Sequence, residues 1–156
     1  MNFVLWNKDN WKVGNQLLEK VNLAAEITEG IIDHAARENP NECCGIIAVN
    51  GIGNFELYEV TNIEQSPFRY NMDPKEFFDI YQLLEGKGWD IWGFYHSHTH
   101  TEAYPSQTDR NLAAWSDSYY VIVSLQDESQ PVVRCFSILE GEVTEKQLNL
   151  IDESKN

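Results

Sequence analysis

The sequence predicts an α/β fold: a single domain built on one mixed β-sheet flanked by helices. Three observations lead there. The chain has 156 residues, one domain's worth and enough for one substantial core. Short apolar runs of strand length alternate with two longer stretches of helical periodicity. No internal repeat or low-complexity segment divides the chain.

Residues 1–16 are polar with scattered aromatics (Phe3, Trp6, Trp11) and read as an N-terminal extension of undetermined structure. Residues 17–150 carry the domain. Leu17 to Leu23 reads as a short strand. Ala24 to Glu38 reads as a helix, because Ile27, Ile31 and Ala35 recur on one face. Pro40 ends it. Cys44 to Val49 is an apolar run typical of a buried strand, and Asn50-Gly51 marks a hairpin turn. Phe55 to Thr61 alternates apolar and polar residues, as a strand does.

Asp73-Pro74 opens a second helix with proline at its first position. Phe77, Ile80, Tyr81 and Leu84 form its apolar stripe, and Gly86 and Gly88 close it. Ile91 to His96 is a central strand. A third helix starts at Ser106 and is expected to reach about Trp115. Tyr119–Ser124, Val132–Leu139 and Val143–Asn149 read as strands, and 151–156 as a polar tail.

Composition excludes several classes. The formal net charge of −14 argues against nucleic-acid binding, which needs clustered Lys and Arg. Apolar content of 42% fits one modest core better than disorder. Three cysteines, Cys43, Cys44 and Cys135, include no CxxC pair and give no disulfide framework. At least one of Cys43 and Cys44 should be buried. A reducing, cytoplasmic setting is expected. No apolar run approaches membrane-spanning length, and the N-terminus lacks the pattern of a signal peptide.

Chemistry concentrates between Gly93 and Asp109. His96 and His98 are two apart on a strand, so both side chains point to one side. Ser97 between them points into the opposite layer. Ser106 and Asp109 follow at helical spacing. Ser106 suits an N-cap, and the Ser-Gln-Thr-Asp run resembles a capping box with Asp in place of Glu or Gln. Two imidazoles and a carboxylate are the ligand set of an open, catalytic zinc site.

The whole string, His96-Ser97-His98, then Ser106 and Asp109, resembles the signature of the JAB/MPN (JAMM) zinc metalloproteases. That family also carries a glutamate upstream, and Glu42 stands in the matching Pro-x-Glu-x-Cys-Gly context. The run from Thr99 to Asp109, the segment Asn62 to Tyr70 and the closing Glu-Gly-Glu-Val-Thr-Glu run resemble the small bacterial Mec-type members. Those hydrolyse the bond between a ubiquitin-like sulfur-carrier protein (CysO) and newly made cysteine. The resemblance covers roughly residues 20–150 and implies a cytidine-deaminase-like fold.

It also implies roles. His96, His98 and Asp109 would hold Zn2+, Glu42 would be the general base, and Ser106 would donate to an oxyanion. Ser106 keeps its alternative as a plain helix cap. His100 makes a second His-x-His with His98, but that register mis-spaces Ser106 and Asp109, so His100 reads as a rim residue. The implied substrate is the Gly-Gly tail of a ubiquitin-like protein carrying a small leaving group. Two other readings stay open: a peptidase of another role, such as phage tail-associated or cell-wall hydrolysis, and a non-catalytic MPN scaffold.

Overall fold

A computed structural model describes residues 12–13, 16–17 and 19–153. β1 (Lys12–Val13) and β2 (Gln16–Leu17) pair antiparallel as a separate ribbon. Much of the expected N-terminal extension, residues 1–11, lies outside the described residues, as does the end of the polar tail. The strand expected over 17–23 starts three residues later and ends one later, as β3 (Lys20–Ala24). Then come α1 (Ala25–Glu38), β4 (Cys44–Val49), β5 (Phe55–Val60), α2 (Pro74–Lys87) and β6 (Asp90–His98). α3 (Gln107–Leu112), β7 (Tyr119–Ser124), β8 (Val132–Leu139) and β9 (Glu142–Ile151) complete the chain.

Seven strands form one sheet in the order β3-β9-β8-β7-β6-β4-β5. β6 and β7 run parallel, as do β3 and β9; the other neighbours are antiparallel. The sheet is therefore mixed, as expected. β4 and β7 are buried at every position, which explains their unbroken apolar runs.

The helices cover the two faces. On one, Ile27, Ile31 and Ala35 of α1 pack over Ile47, Tyr95 and Val121. On the other, Phe77 and Ile80 of α2 pack over Ile46, Phe94 and Tyr120. Gly45 allows the first face to close: a Cβ there would lie 2.3 Å from the Tyr95 ring and 2.4 Å from Tyr58 O.

Helix ends follow their chemistry. Asp73 caps α2 by accepting from the Lys75 and Glu76 amides, with Pro74 at the first position. Gly88 ends it in the left-handed region at φ 72°, while Gly86 lies inside the last turn. The third helix is shorter than expected. α3 stops at Leu112 and Ala113 is extended, so Trp115 is not helical. No residue of α3 is buried, so no apolar face propagates the helix. Trp115 instead joins a ring cluster with Phe77, Tyr81 and Phe94.

β6 runs two residues past its expected end. Its parallel pairing with β7 continues through His96↔Ile122, Ser97↔Val123 and His98↔Ser124. Both histidines thus sit on laddered backbone rather than in a loop. Cys43, Cys44 and Cys135 are all free and buried. Among the described residues, no helix is long and apolar enough to cross a membrane.

Candidate metal and catalytic centre

His96 and His98 project from the C-terminal end of β6 on the face that also carries α2. Their Nε2 atoms lie 3.1 Å apart. Asp109 Oδ2 reaches both, at 3.1 Å from His96 Nε2 and 3.0 Å from His98 Nε2. These three residues form a group able to hold a metal ion. His100 is not part of it; this exposed ring sits beside Phe68, at 6.0 Å between centroids, as a rim residue would.

Asp109 is placed by a capping box. Ser106 Oγ accepts from the Asp109 amide at 3.0 Å, and Asp109 Oδ2 accepts from the Ser106 amide at 2.9 Å. One carboxylate oxygen therefore caps α3 and faces both imidazoles. His98 is oriented from behind, with Nδ1 2.8 Å from the Glu102 carbonyl oxygen. A carbonyl only accepts, so Nδ1 carries the proton and Nε2 presents its lone pair inward. Tyr70 stacks on the His96 ring at 4.5 Å between centroids.

The donor atoms suit a divalent metal ion. Three atoms held mutually 3.0–3.1 Å apart, two of them imidazole nitrogens and one a carboxylate oxygen, repel unless a proton or cation lies between them. Tetrahedral bonds of about 2.0–2.1 Å would set such atoms roughly 3.3–3.4 Å apart. Carboxylate and imidazole donors without a thiolate match the donor set of catalytic sites better than that of cysteine-rich structural ones.

Electrostatics agree. Burial works against the charge of Asp109, but His96, His98 and the Ser106 amide overcome it and hold its carboxyl well below the usual range. Burial also lowers the pKa of His96, against the pull of Asp109. For His98 burial is outweighed by its bonds to Asp109 and to the Glu102 carbonyl, which raise it.

Glu42 lies just before β4, whose Cys44 pairs with His96. It is 5% exposed, and its Oε1 is buried without a hydrogen-bond partner among the described residues. Burial pushes its pKa up to about 8; His98 draws it down and Asp109 pushes it up further. The Glu42 carboxyl thus feels two of the three candidate ligands directly.

Ser97 points away from the candidate metal ligands, as its parity requires. Its Oγ accepts from the Cys43 amide at 2.8 Å, and its own amide donates to Cys43 O at 3.1 Å. This ties the strand end bearing His96 and His98 to the segment bearing Glu42. The sequence did not indicate Tyr70, Asn62 or the Glu102 carbonyl. The first two lie in the segment Asn62 to Tyr70, whose likeness to the Mec-type members was the only available signal. A backbone carbonyl leaves no signal in side-chain identity.

Fold and candidate centre together define a domain of the JAB class. The family model for prokaryotic homologues of the JAB domain matches residues 24–139, and the chain belongs to that family. A curated relative, the CysO-cysteine peptidase of Mycobacterium tuberculosis, is 36% identical over 133 residues, covering 84% of this chain and 91% of that protein. The desampylase of Haloferax volcanii is 35% identical over 112 residues, 67% of this chain and 81% of that one. A solution structure from Desulfitobacterium hafniense superposes with TM-score 0.74 at 32% identity, covering 85% of this chain and 93% of the other. A JAB1/MPN domain protein from Archaeoglobus fulgidus, at 19% identity and TM-score 0.52, shares the fold over 82% of this chain and 98% of its own. The chain is thus a hydrolase-type JAB domain, with relatives named a CysO-cysteine peptidase and a desampylase.

Proposed function

We propose that this protein is a zinc-dependent peptidase that cleaves the bond after the C-terminal Gly-Gly of a ubiquitin-like sulfur-carrier protein and releases cysteine. The observation that carries the reading is the convergence of His96 Nε2, His98 Nε2 and Asp109 Oδ2 beside the buried carboxyl of Glu42. The substrate class rests on the relatives named CysO-cysteine peptidase and desampylase.

His96, His98 and Asp109 would hold the ion. Zinc bound there supplies Lewis acidity toward water and toward a carbonyl oxygen. Glu42 takes the proton from the attacking water and later delivers it to the leaving amine. Its raised proton affinity, about pH 8 from burial, suits it to hold that proton between the two transfers. A cation near Glu42 favours its carboxylate form at the start of the cycle. Ser106 donates its hydroxyl hydrogen to the developing oxyanion. Its capping bond uses Oγ as an acceptor, which leaves the O–H uncommitted.

The tail approaches along the α2 face. An apolar cavity of about 270 Å³, lined by Tyr70, Met72, Phe77, Phe94, Leu112 and Trp115, adjoins the His96 ring through Tyr70. β5 is an edge strand, open to strand addition by an extended peptide. The segment between Glu42 and His96 is spent on two strands and a helix, which favours a small leaving group over a second folded protein. The desampylase relative favours a second reading, removal of a ubiquitin-like protein from a lysine side chain.

The test is hydrolysis of two substrates by the zinc-loaded protein: a carrier bearing C-terminal cysteine, and the same carrier joined to lysine. Faster turnover of the cysteine adduct supports the first reading. Faster turnover of the isopeptide establishes the second, and no hydrolysis of either removes both.

A further inference from the structure

We propose that Asn62 is a positioning residue for Glu42, acting through a four-bond amide clamp. The inference rests on the reading of Glu42 as the general base.

Glu42 precedes β4, which begins at Cys44, so no ladder bond holds its backbone. Both its main-chain polar groups are held instead by the segment between β5 and α2. The Glu42 amide donates to Ser66 O at 2.9 Å. The Glu42 carbonyl accepts from Asn62 Nδ2 at 3.0 Å. The same nitrogen donates to Arg69 O at 3.1 Å. Asn62 Oδ1 accepts from the Glu64 amide at 3.1 Å and from the Asn71 amide at 3.0 Å. Two donors meet two carbonyls and one acceptor meets two amides, so the side-chain orientation is determined and its four bonds are made.

No other side chain of that length offers this set. Aspartate has the acceptors and lacks the donors. Glutamine adds a methylene at a residue only 9% exposed. Serine and threonine cannot span both carbonyls.

The clamped segment is also attached to the ligand side. Tyr70 stacks on His96, and Pro67 O accepts from Thr99 Oγ1 at 2.9 Å, one residue past His98. Asn62 thus closes a loop whose two contacts, together with the Ser97–Cys43 bonds, set the distance between the base and the ligand-bearing strand end. Losing the clamp lets the Glu42 backbone move while His96, His98 and Asp109 keep their own supports. Displacing a catalytic group by about 1 Å lowers turnover by up to roughly a hundred-fold.

The experiment compares Asn62→Asp, Glu42→Gln and the double variant in zinc-loaded protein, with a carrier–cysteine adduct as substrate. Asn62→Asp keeps the two accepted bonds and removes the two donated ones. Expected are a kcat lowered by about ten-fold or more, KM within about two-fold and zinc content unchanged. In the Glu42→Gln background, Asn62→Asp should change the residual rate by less than about two-fold, because the group it positions is already gone. An Asn62→Asp rate within about two-fold of the parent overturns the proposal, as does an equal loss in both backgrounds. Should Asn62→Asp fail to fold, Asn62→Ala is measured and read in the same way. Failure of the underlying reading looks different: Glu42→Gln itself would then hydrolyse at the parent rate.

Discussion

The half of the candidate centre that bears the three proposed ligands is assembled by secondary structure, whereas the half that bears the proposed base hangs on a loop. His96 and His98 share one strand, and Asp109 sits in the first turn of the next helix, fastened by a capping box. Each is placed by bonds spanning a few residues, plus the ladders of β6 with β7 and β4. Glu42 belongs to no element. Its amide and carbonyl are held by Ser66 and Asn62, more than twenty positions away in one case and twenty in the other. The proposed-ligand half, which the loop touches through Tyr70 and Thr99 alone among the contacts described above, should therefore be less sensitive to changes in that loop than the Glu42 half.

The comparison breaks hardest at the ligands. His98→Ala is expected to lose zinc and all measurable hydrolysis, because two donors rarely hold the ion in an open site. Elemental analysis beside the hydrolysis assay checks this, and zinc content equal to the parent would count against the assignment. Glu42→Gln separates the halves: the fold and zinc should stay while turnover falls by about 10²–10⁴-fold. Retained turnover would remove Glu42 from the mechanism.

Ser106→Ala comes next, since it touches both a cap and a proposed donor. Removing an oxyanion donor lowers kcat by about 10²–10³-fold. Removing the cap costs about 0.5–2 kcal/mol of stability. Thermal unfolding beside single-turnover hydrolysis resolves the two. A destabilised variant that hydrolyses at the parent rate would leave Ser106 as a cap alone.

The smallest effect lies on the opposite face of the sheet. His34 is 4% exposed, with Nδ1 2.8 Å from the Tyr95 hydroxyl. Burial lowers its pKa; Glu59 raises it and Arg37, itself bonded to Glu59, lowers it. A histidine whose folded pKa is depressed gives stability that is complete above its unfolded pKa, about 6.5, and lost as pH falls below it. Melting temperatures of the parent and His34→Gln should therefore diverge less at about pH 5 than at about pH 7.5. A gap that is the same at both pH values would show that His34 does not titrate with unfolding.

Much of the ligand half was legible because its information is local. The two-residue histidine spacing and the Ser-x-x-Asp box each encode a direction that strand or helix geometry makes definite. The alternating elements likewise gave the sheet and its flanking helices. The parallel pairing of β3 with β9 was not legible, because it joins residues more than a hundred positions apart. Neither was the early end of α3, beyond which Trp115 lies against the rings of Phe77 and Phe94. Asn62 reads in sequence as one polar residue after a strand. Its role exists only once Glu42, Arg69 and Asn71 have come together around it.

The shared oxygen of Asp109 couples two equilibria. Oδ2 closes the first turn of α3 and also faces His96 and His98. A helix of six residues does not persist by its own propensity. With an ion held by the proposed ligands, fraying of α3 and release of that ion would be linked reciprocally: whatever loosens the helix would weaken metal affinity by the same free energy that the metal lends the helix. Amide exchange at Asp109 and Arg110 then reads out occupancy of a centre formed in part by the strand beneath them.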